Sequence, residues 1–277
     1  MSPFPRSVIV TRLRAAGCVF AEDEAELLLA AAQTPAELAT MVDRRAAGLP
    51  LEHVVGWAEF CGLRITVDPG VFVPRRRTEF LARQAAGRVP HSSRPVVVDL
   101  CCGSGAVGAA LVAALDRVEL HAVDIDPAAA RCARRNVAAG GRVYAGDLYE
   151  PLPARLRGRV DVLVANAPYV PTAAIGLLPP EARLHEPRVA LDGGVDGLDV
   201  QRRVAAAAPV WLAPGGHLLV ETSERQASRT ALTFARNGLI PRVTRCGELN
   251  ATVVIGTRPA PPGPGGPFRR PHTAGAP

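Results

Sequence analysis

Lysine is absent from all 277 residues: the 32 basic side chains are arginine without exception. With the heavy use of alanine and proline, this reads as biased coding, and it removes the Tyr/Lys pair that a nicotinamide dehydrogenase on an α/β sheet would use. Paired cysteines are also missing. The six thiols, at 18, 61, 101, 102, 132 and 246, form no CxxC and no regular framework, which excludes a disulfide scaffold and predicts reduced thiols. The histidines are scattered without HxxxH or mixed His/Cys spacing, so no metal is expected. No apolar run, Val204 to Ala213 being among the longest, approaches the roughly 20 residues that span a bilayer. Residues 1–16 include basic side chains but no continuous apolar core followed by a small-residue cleavage site, so a cytoplasmic protein is expected. Aromatic residues make up only 4%, and the 26 glycines and 26 prolines follow no period, which excludes collagen-like and fibrous chains. The net charge of +6 permits nucleic acid as a partner without requiring it.

What is present has order. From Val8 to Gly48 apolar residues recur at helical spacing (Leu13, Ala25, Leu28, Leu38, Met41, Val42), broken near Gly17 and Pro35. The pattern predicts a helical N-terminal domain over 1–56. Alternation at Phe60, Leu63, Ile65 and Val67, a Pro69-Gly70 turn and a second short strand Val71–Val73 predict a β-hairpin linker over 57–76. From Pro95 short apolar strands alternate with helices: Val96–Val98, Glu119–Val123, Arg142–Tyr144, Val160–Val164 and Gly216–Glu221. Ile240–Cys246 and Ala251–Ile255 then follow as a terminal hairpin. The rhythm predicts an α/β fold, a Rossmann-like parallel sheet covered on both faces, over 77–257. Residues 258–277, rich in proline and glycine, are expected to be disordered.

Candidate chemistry gathers where the predicted strands end. Asp99, Cys101, Cys102, Gly103, Ser104 and Gly105 form a strand-to-helix turn that would let the backbone approach a ligand, although two close glycines also serve plain βα packing. Asp124 stands nineteen residues beyond Gly105, where a carboxylate meets ribose hydroxyls in nucleoside-binding sheets. Asp126 before Pro127 reads as a helix N-cap. Asp147 and Leu148 suit an adenine amino group and ring, or a simple turn. The sharpest signal is Asn166-Ala167-Pro168-Tyr169 after a buried strand. The Asn carbonyl and a neighbouring main-chain carbonyl can accept both protons of an amino group, and Tyr169 can pack on a planar substrate.

Asn166–Tyr169 resembles the Asn-Pro-Pro-Tyr motif of S-adenosylmethionine-dependent amino-methyltransferases, and the rest of the chain resembles one branch of them, the protein glutamine methyltransferases (HemK/PrmC). The likeness extends through Arg45–Gly56, Val67–Pro74, Thr78-Glu79, Glu186-Pro187, Ala190–Leu198, and Gly215-Gly216 ahead of Glu221 and Gln226. It implies a class I methyltransferase sheet and methyl transfer to a glutamine side-chain amide, typically in the Gly-Gly-Gln loop of a peptide release factor. It also implies roles. Asp99, Cys101, Gly103, Gly105, Asp124, Asp147, Leu148 and Asn166 would bind S-adenosylmethionine, with S-adenosylhomocysteine as product. Asn166, Pro168 and Tyr169 would be catalytic, and Asn166, Ala167, Pro168, Tyr169 and Glu186 would meet the substrate. A monomer is expected, with the helical domain recognising the substrate.

The chain departs from that pattern at three places. Cys101 replaces a usual glycine and is expected to fit only with negative φ. Ala167 replaces a proline, loosening the loop while keeping its carbonyl. Arg75-Arg76-Arg77 puts two arginines where an apolar and an acidic residue are usual. The triplet reads as a solvated charge run, a dock for an acidic protein surface, or a phosphate contact. Glu186-Pro187 reads as a turn or as a substrate-facing loop. Two other functions remain open: methylation of an exocyclic base amine, with Tyr169 stacked on a flipped base, and a catalytically weak paralogue. A dehydrogenase is disfavoured because the turn lacks the full G-x-G-x-x-G fingerprint.

Overall fold

The structure, a computed structural model, describes residues 5–91, 94–137 and 140–261. Most of the segment expected to be disordered, from 262 on, lies outside the described residues. Arg258, the first residue of that segment, instead extends the sheet: its amide donates to Gly216 and its carbonyl accepts from Gly215.

Four helices open the chain: α1 (Arg6–Ala15), α2 (Ala21–Ala31), α3 (Pro35–Ala46) and α4 (Leu51–Val55). The breaks read from Gly17 and Pro35 are real. Thr34 caps α3 by accepting from the Glu37 amide at 3.1 Å, and Pro35 occupies the first turn. The four helices bury a core of their own around Leu13, Leu28, Met41 and Val54. A buried Arg45 joins them to the rest, bonding Glu24 at 2.6 and 3.0 Å and Glu181, on α8 (Pro180–His185), at 2.6 Å.

The hairpin falls elsewhere than expected. β1 (Trp57–Phe60) pairs antiparallel with β2 (Leu63–Thr66) across Cys61-Gly62, both at positive φ (51° and 74°), a two-residue turn whose twist suits a hairpin. Val71–Val73, predicted as a strand, is not one. Val71 and Val73 are buried against Ala129 and Cys132, and the polar backbone of the segment is met by side chains: Val71 O lies 2.8 Å from His53 Nε2, and Val73 N donates to Glu186 at 3.1 Å. With those groups satisfied, no ladder is needed.

After α5 (Glu79–Ala86), a seven-stranded sheet forms from β3 (Val96–Leu100), β4 (Glu119–Asp124), β5 (Gly141–Ala145), β6 (Val160–Ala165), β7 (Leu212–Thr222), β8 (Ile240–Cys246) and β9 (Ala251–Thr257), in the order β5-β4-β3-β6-β7-β9-β8. β3 to β7 run parallel, and β9 lies antiparallel between β7 and β8. This is the expected α/β sheet with a terminal hairpin. Successive residues of the central strands point to opposite buried faces: Val162 and Val164 pack toward α5 and α6 (Ala106–Ala114), whereas Leu163 and Ala165 pack toward α9 (Asp199–Trp211) and α10 (Ala227–Arg236). α7 (Pro127–Asn136) begins at Asp126, whose carboxylate accepts from Ala128 N at 2.8 Å, as the Asp-Pro pair predicts. Because β4 lies on one side of β3 and β6 on the other, chain direction in space reverses at β3, and the crevice for a ligand opens beyond the carboxyl ends of these strands. No helix among the described residues is long and apolar enough to cross a membrane.

Candidate active site

Each parallel strand delivers a polar residue to that crevice: Asp99 from β3, Asp124 from β4, Asp147 just past β5, Asn166 just past β6 and Glu221 from β7. Two cavities occupy it. The first is lined by Asp99, Cys101, Gly103, Asp124, Asp147 and Leu148, with Asn166 and Pro168 at one end. The second is lined by Asn166, Ala167, Pro168 and Tyr169, by Arg75 and Arg77, and by Leu249 and Asn250 from the tip of the β8–β9 hairpin. They meet along Phe72, Asn166, Pro168 and Ala190. Of the residues singled out in the sequence, Gly105 and Glu186 line neither.

The first cavity is acidic and desolvated. Asp99 accepts from Gly108 N at 3.0 Å, and burial, partly offset by that bond and reinforced by the charge of Asp124, pushes its pKa up to about 7. Asp124 spends one oxygen on Gly103 N (2.7 Å) and the other on Asp126 N (2.9 Å), and burial raises its pKa. Each oxygen keeps a second lone pair. Asp147 is held by Arg203 at 2.5 Å. Around Gly103, at φ 55°, a Cβ would find nothing within 4 Å. Gly105 serves packing: a Cβ there would sit 3.0 Å from Ala133 Cβ on α7.

Cys101 departs from expectation. It adopts φ 55°, not a negative value, and is one of four non-glycine residues at positive φ among those described. Three of the four, Cys101, Leu148 and Asn250, line the two cavities. Left-handed backbone at such residues stores strain of about 1–3 kcal/mol each. Cys101→Gly is accordingly expected to raise the chemical unfolding midpoint, and Cys101→Val to lower stability by about 1–3 kcal/mol, because a β-branched side chain tolerates this conformation worst. Equal midpoints for the two variants would refute the assignment of strain to this position.

At the junction of the cavities, Asn166 Nδ2 donates to Thr78 Oγ1 at 3.4 Å. Among the described residues nothing donates to the Asn166 side-chain carbonyl or to the Ala167 main-chain carbonyl, whereas the Tyr169 carbonyl is taken by Gln226 Nε2 at 3.0 Å. The Tyr169 hydroxyl donates to Glu221 at 3.3 Å, and burial with that neighbouring carboxylate pushes its pKa up to about 12. Two of the three triplet arginines pair with buried carboxylates, although Arg77 itself stays exposed. Arg75 bonds Glu186 at 2.5 and 2.6 Å, and Arg77 lies 3.4 Å from Glu221 with its guanidinium 6.0 Å from the centre of the Tyr169 ring; Arg76 is exposed. Glu186, expected at the substrate, is buried beneath Arg75 and fixes it.

Sequence reasoning did not assign Thr78 or Glu221 to the site. Thr78 occupies the N-cap position of α5 yet makes no capping bond, so its hydroxyl is available to Asn166. The signal for Glu221 was its place at the end of a parallel strand beside β6. No three His, Cys, Asp or Glu side chains among the described residues are grouped to hold a metal ion.

This chain is similar to several known methyltransferases. The family model Methyltransferase small domain matches residues 62–177. The release factor glutamine methyltransferase of Geobacter sulfurreducens is 41% identical, over 81% of this chain and 79% of its own length. The 4-amino-L-phenylalanine/4-methylamino-L-phenylalanine methyltransferase of Streptomyces pristinaespiralis is 38% identical over 82% and 80%. A solved methyltransferase from Pyrococcus furiosus superposes with a TM-score of 0.53 at 16% identity, covering 72% of this chain and 90% of that one, a likeness of fold.

Proposed function

We propose, from the premise that this chain belongs to the release factor glutamine methyltransferase family, that it methylates the side-chain amide nitrogen of a glutamine in a peptide release factor, using S-adenosylmethionine. The observation that carries this reading is the meeting of two cavities at Asn166 and Pro168, with two carbonyl oxygens left without donors beside them. One cavity would take the methyl donor and the other the acceptor.

The first cavity fits the donor. Open space over Gly103 would admit the methionine part, Asp124 keeps lone pairs for the two ribose hydroxyls, and Asp147 with Leu148 offers an acceptor and an apolar face to adenine. When bound, S-adenosylmethionine supplies a methyl group on a positively charged sulfur. An amide nitrogen is a weak nucleophile because its lone pair is delocalised into the carbonyl. Asn166 Oδ1 and Ala167 O would hold its two protons and so fix its orientation, while Tyr169 packs against the side chain; positioning of this kind is worth orders of magnitude in rate. Once methylated the nitrogen would carry a positive charge and be strongly acidic, so one of its two protons would pass to water and no strong base is called for. Ala167 leaves the carbonyl in place where a proline is usual in the family. The helical domain would contribute to recognition of the protein substrate, and a monomer acting in the cytoplasm fits the reading.

Labelled S-adenosylmethionine, offered with a purified release factor, its Gly-Gly-Gln loop Gln→Ala variant, total RNA and 4-amino-L-phenylalanine, tests it. Label is expected on the release factor and absent from the loop variant. Label on RNA alone would assign a base amine instead, and label on the amino acid alone would assign the aromatic amine that the Streptomyces pristinaespiralis relative is named for.

A further inference from the structure

The helical domain and the wall of the second cavity are joined through one side chain. Arg45, 7% exposed, makes four hydrogen bonds: Nε and Nη2 donate to Glu24 at 2.6 and 3.0 Å, and Nη1 donates to the Leu49 carbonyl at 2.9 Å and to Glu181 at 2.6 Å. The buried Glu24 already balances its charge within the helical domain. Glu181 adds a second carboxylate that is 46% exposed, and an ion pair so open to water adds little stability. Its effect lies in what it holds. Among the described residues this is the only hydrogen bond between the helical domain and residues 171–186. Between Thr172, whose amide donates to Gly194 O at 2.9 Å, and Glu186, which bonds Val73 and Arg75, the chain buries one residue, Ala182, while Leu177 and Leu184 are exposed. Yet Leu178, Pro179, Glu181 and Ala182 line the second cavity. A segment with so little burial opens locally at small cost, and a wall that is not fixed must be ordered by whatever binds it.

We propose that Glu181 is a positioning residue: its bond to Arg45 fixes α8 against the helical domain and so sets the wall of the second cavity before the acceptor arrives. Arg45 suits the task because Glu24 and the Leu49 carbonyl hold three of its five N–H groups, which leaves the guanidinium no freedom to follow α8. A rigid donor of this kind passes its position to α8 through one charged hydrogen bond. Without that bond, only the molecules with α8 in place bind the acceptor, and the apparent affinity falls by their fraction. The step after binding is untouched, because Asn166 and the Ala167 carbonyl lie outside residues 173–185 and the cofactor cavity takes no wall from them. The helical domain thereby acts on acceptor binding without having to touch the acceptor. This inference rests on the reading of the second cavity as the acceptor's.

Glu181→Ala is expected to raise KM for the release factor about tenfold, with KM for S-adenosylmethionine within about twofold and kcat within about threefold of the wild type. Because Arg45 keeps Glu24, the melting temperature should change by no more than about 3 °C. Glu181→Gln keeps an oxygen that accepts from Arg45, so its KM should stay within about threefold of the wild type. In the protein without substrates, hydrogen exchange read by mass spectrometry should quicken over residues 173–186 of the alanine variant, which include the bonded amides of Arg183 and Glu186, and stay unchanged in the helical domain. A raised KM without faster exchange would mean that Glu181 meets the acceptor itself, and equal losses in the two variants would mean that its charge matters and not its bond. Faster exchange with an unchanged KM would take α8 out of the acceptor wall, and faster exchange that spreads through the helical domain would mean general loosening. Each of these four results overturns the proposal. The exchange experiment needs no acceptor. If the wild type labels RNA or the free amino acid and not the release factor, the release factor reading falls, and this inference is decided by the exchange pattern together with KM for the acceptor that is labelled.

Discussion

Asn166→Ala is expected to lower kcat for methyl transfer by about 100- to 1,000-fold, the cost of deleting one preorganised polar partner at a reacting centre, while the affinity for S-adenosylhomocysteine changes only severalfold. The asymmetry follows from where the side chain sits. Asn166 touches the first cavity at one end only, and the carboxylates of Asp99, Asp124 and Asp147 remain. In the second cavity its carbonyl is one of two main acceptors beside the junction, and alanine leaves Ala167 O alone. One proton of the acceptor amide then has no partner, and its nitrogen is free to rotate out of line. Asn166→Asp should lose less, because it keeps an oxygen at the junction, although it removes the donor to Thr78 and forces that hydroxyl to turn. Single-turnover transfer of labelled methyl, with calorimetric binding of S-adenosylhomocysteine beside it, separates the two effects. An alanine variant within threefold of the wild-type rate would remove Asn166 from the chemistry.

How much of this was legible in the sequence depends on how far apart in the chain the partners lie. The central parallel strands were readable because they are apolar on both faces, a property of consecutive residues such as Val96–Val98 and Val162–Ala165, whereas the edge strand β5 is half-exposed. The Asp126-Pro127 cap was readable because it is satisfied two residues away. The positions of Asp124 and Asn166 followed from strand ends. What could not be read involves partners distant in sequence. Val71–Val73 has the apolar pattern of a strand, but its amide is claimed by Glu186 and its carbonyl by His53. Cys61-Gly62 carries no Asn or Asp to announce a tight turn. Cys101 sits at positive φ against its own preference because β3, α6 and the bonds of Gly103 and Gly105 dictate the path of the turn around it. Arg75-Arg76-Arg77 looks like one charge run, yet two of its members are committed to carboxylates more than a hundred residues away. Glu221 was marked only by its place at a strand end, and its contact with Tyr169 exists only once β6 and β7 are neighbours.

The same distance argument identifies the glycine whose loss should do most damage. Gly197→Ala is expected to cost about 3 kcal/mol or more of stability and to cut methyl transfer about 100-fold in the protein that remains folded. Gly197 has φ 76°, and a Cβ there would lie 2.3 Å from the carbonyl oxygen of Tyr169 and 2.4 Å from Gln226 Nε2. Neither can yield cheaply. The oxygen is backbone of the Asn-Ala-Pro-Tyr segment, and the amide is the group that bonds it at 3.0 Å. The loop cannot retreat either, since Val170 exchanges hydrogen bonds with Leu191 and Gly193, and Asp192 and Asp196 bond the amides of Gly194 and Leu198. The added methyl must therefore break the Gln226 bond, at about 1–3 kcal/mol for the groups left unpaired, on top of strain of about 1 kcal/mol or more from the left-handed backbone. It must also move Tyr169, and a shift of about 1 Å at a positioning group costs on the order of 100-fold in rate. Gly158→Ala is the control. At φ 69° it carries the same backbone penalty, but its Cβ would meet nothing within 4 Å, and it lines neither cavity. It should lose about 1 kcal/mol and keep its activity. Chemical denaturation of both variants, with initial rates normalised to folded protein, decides the matter: equal losses of stability would mean that the Gly197 loop gives way, and that the carbonyl of Tyr169 is not held where the acceptor needs it.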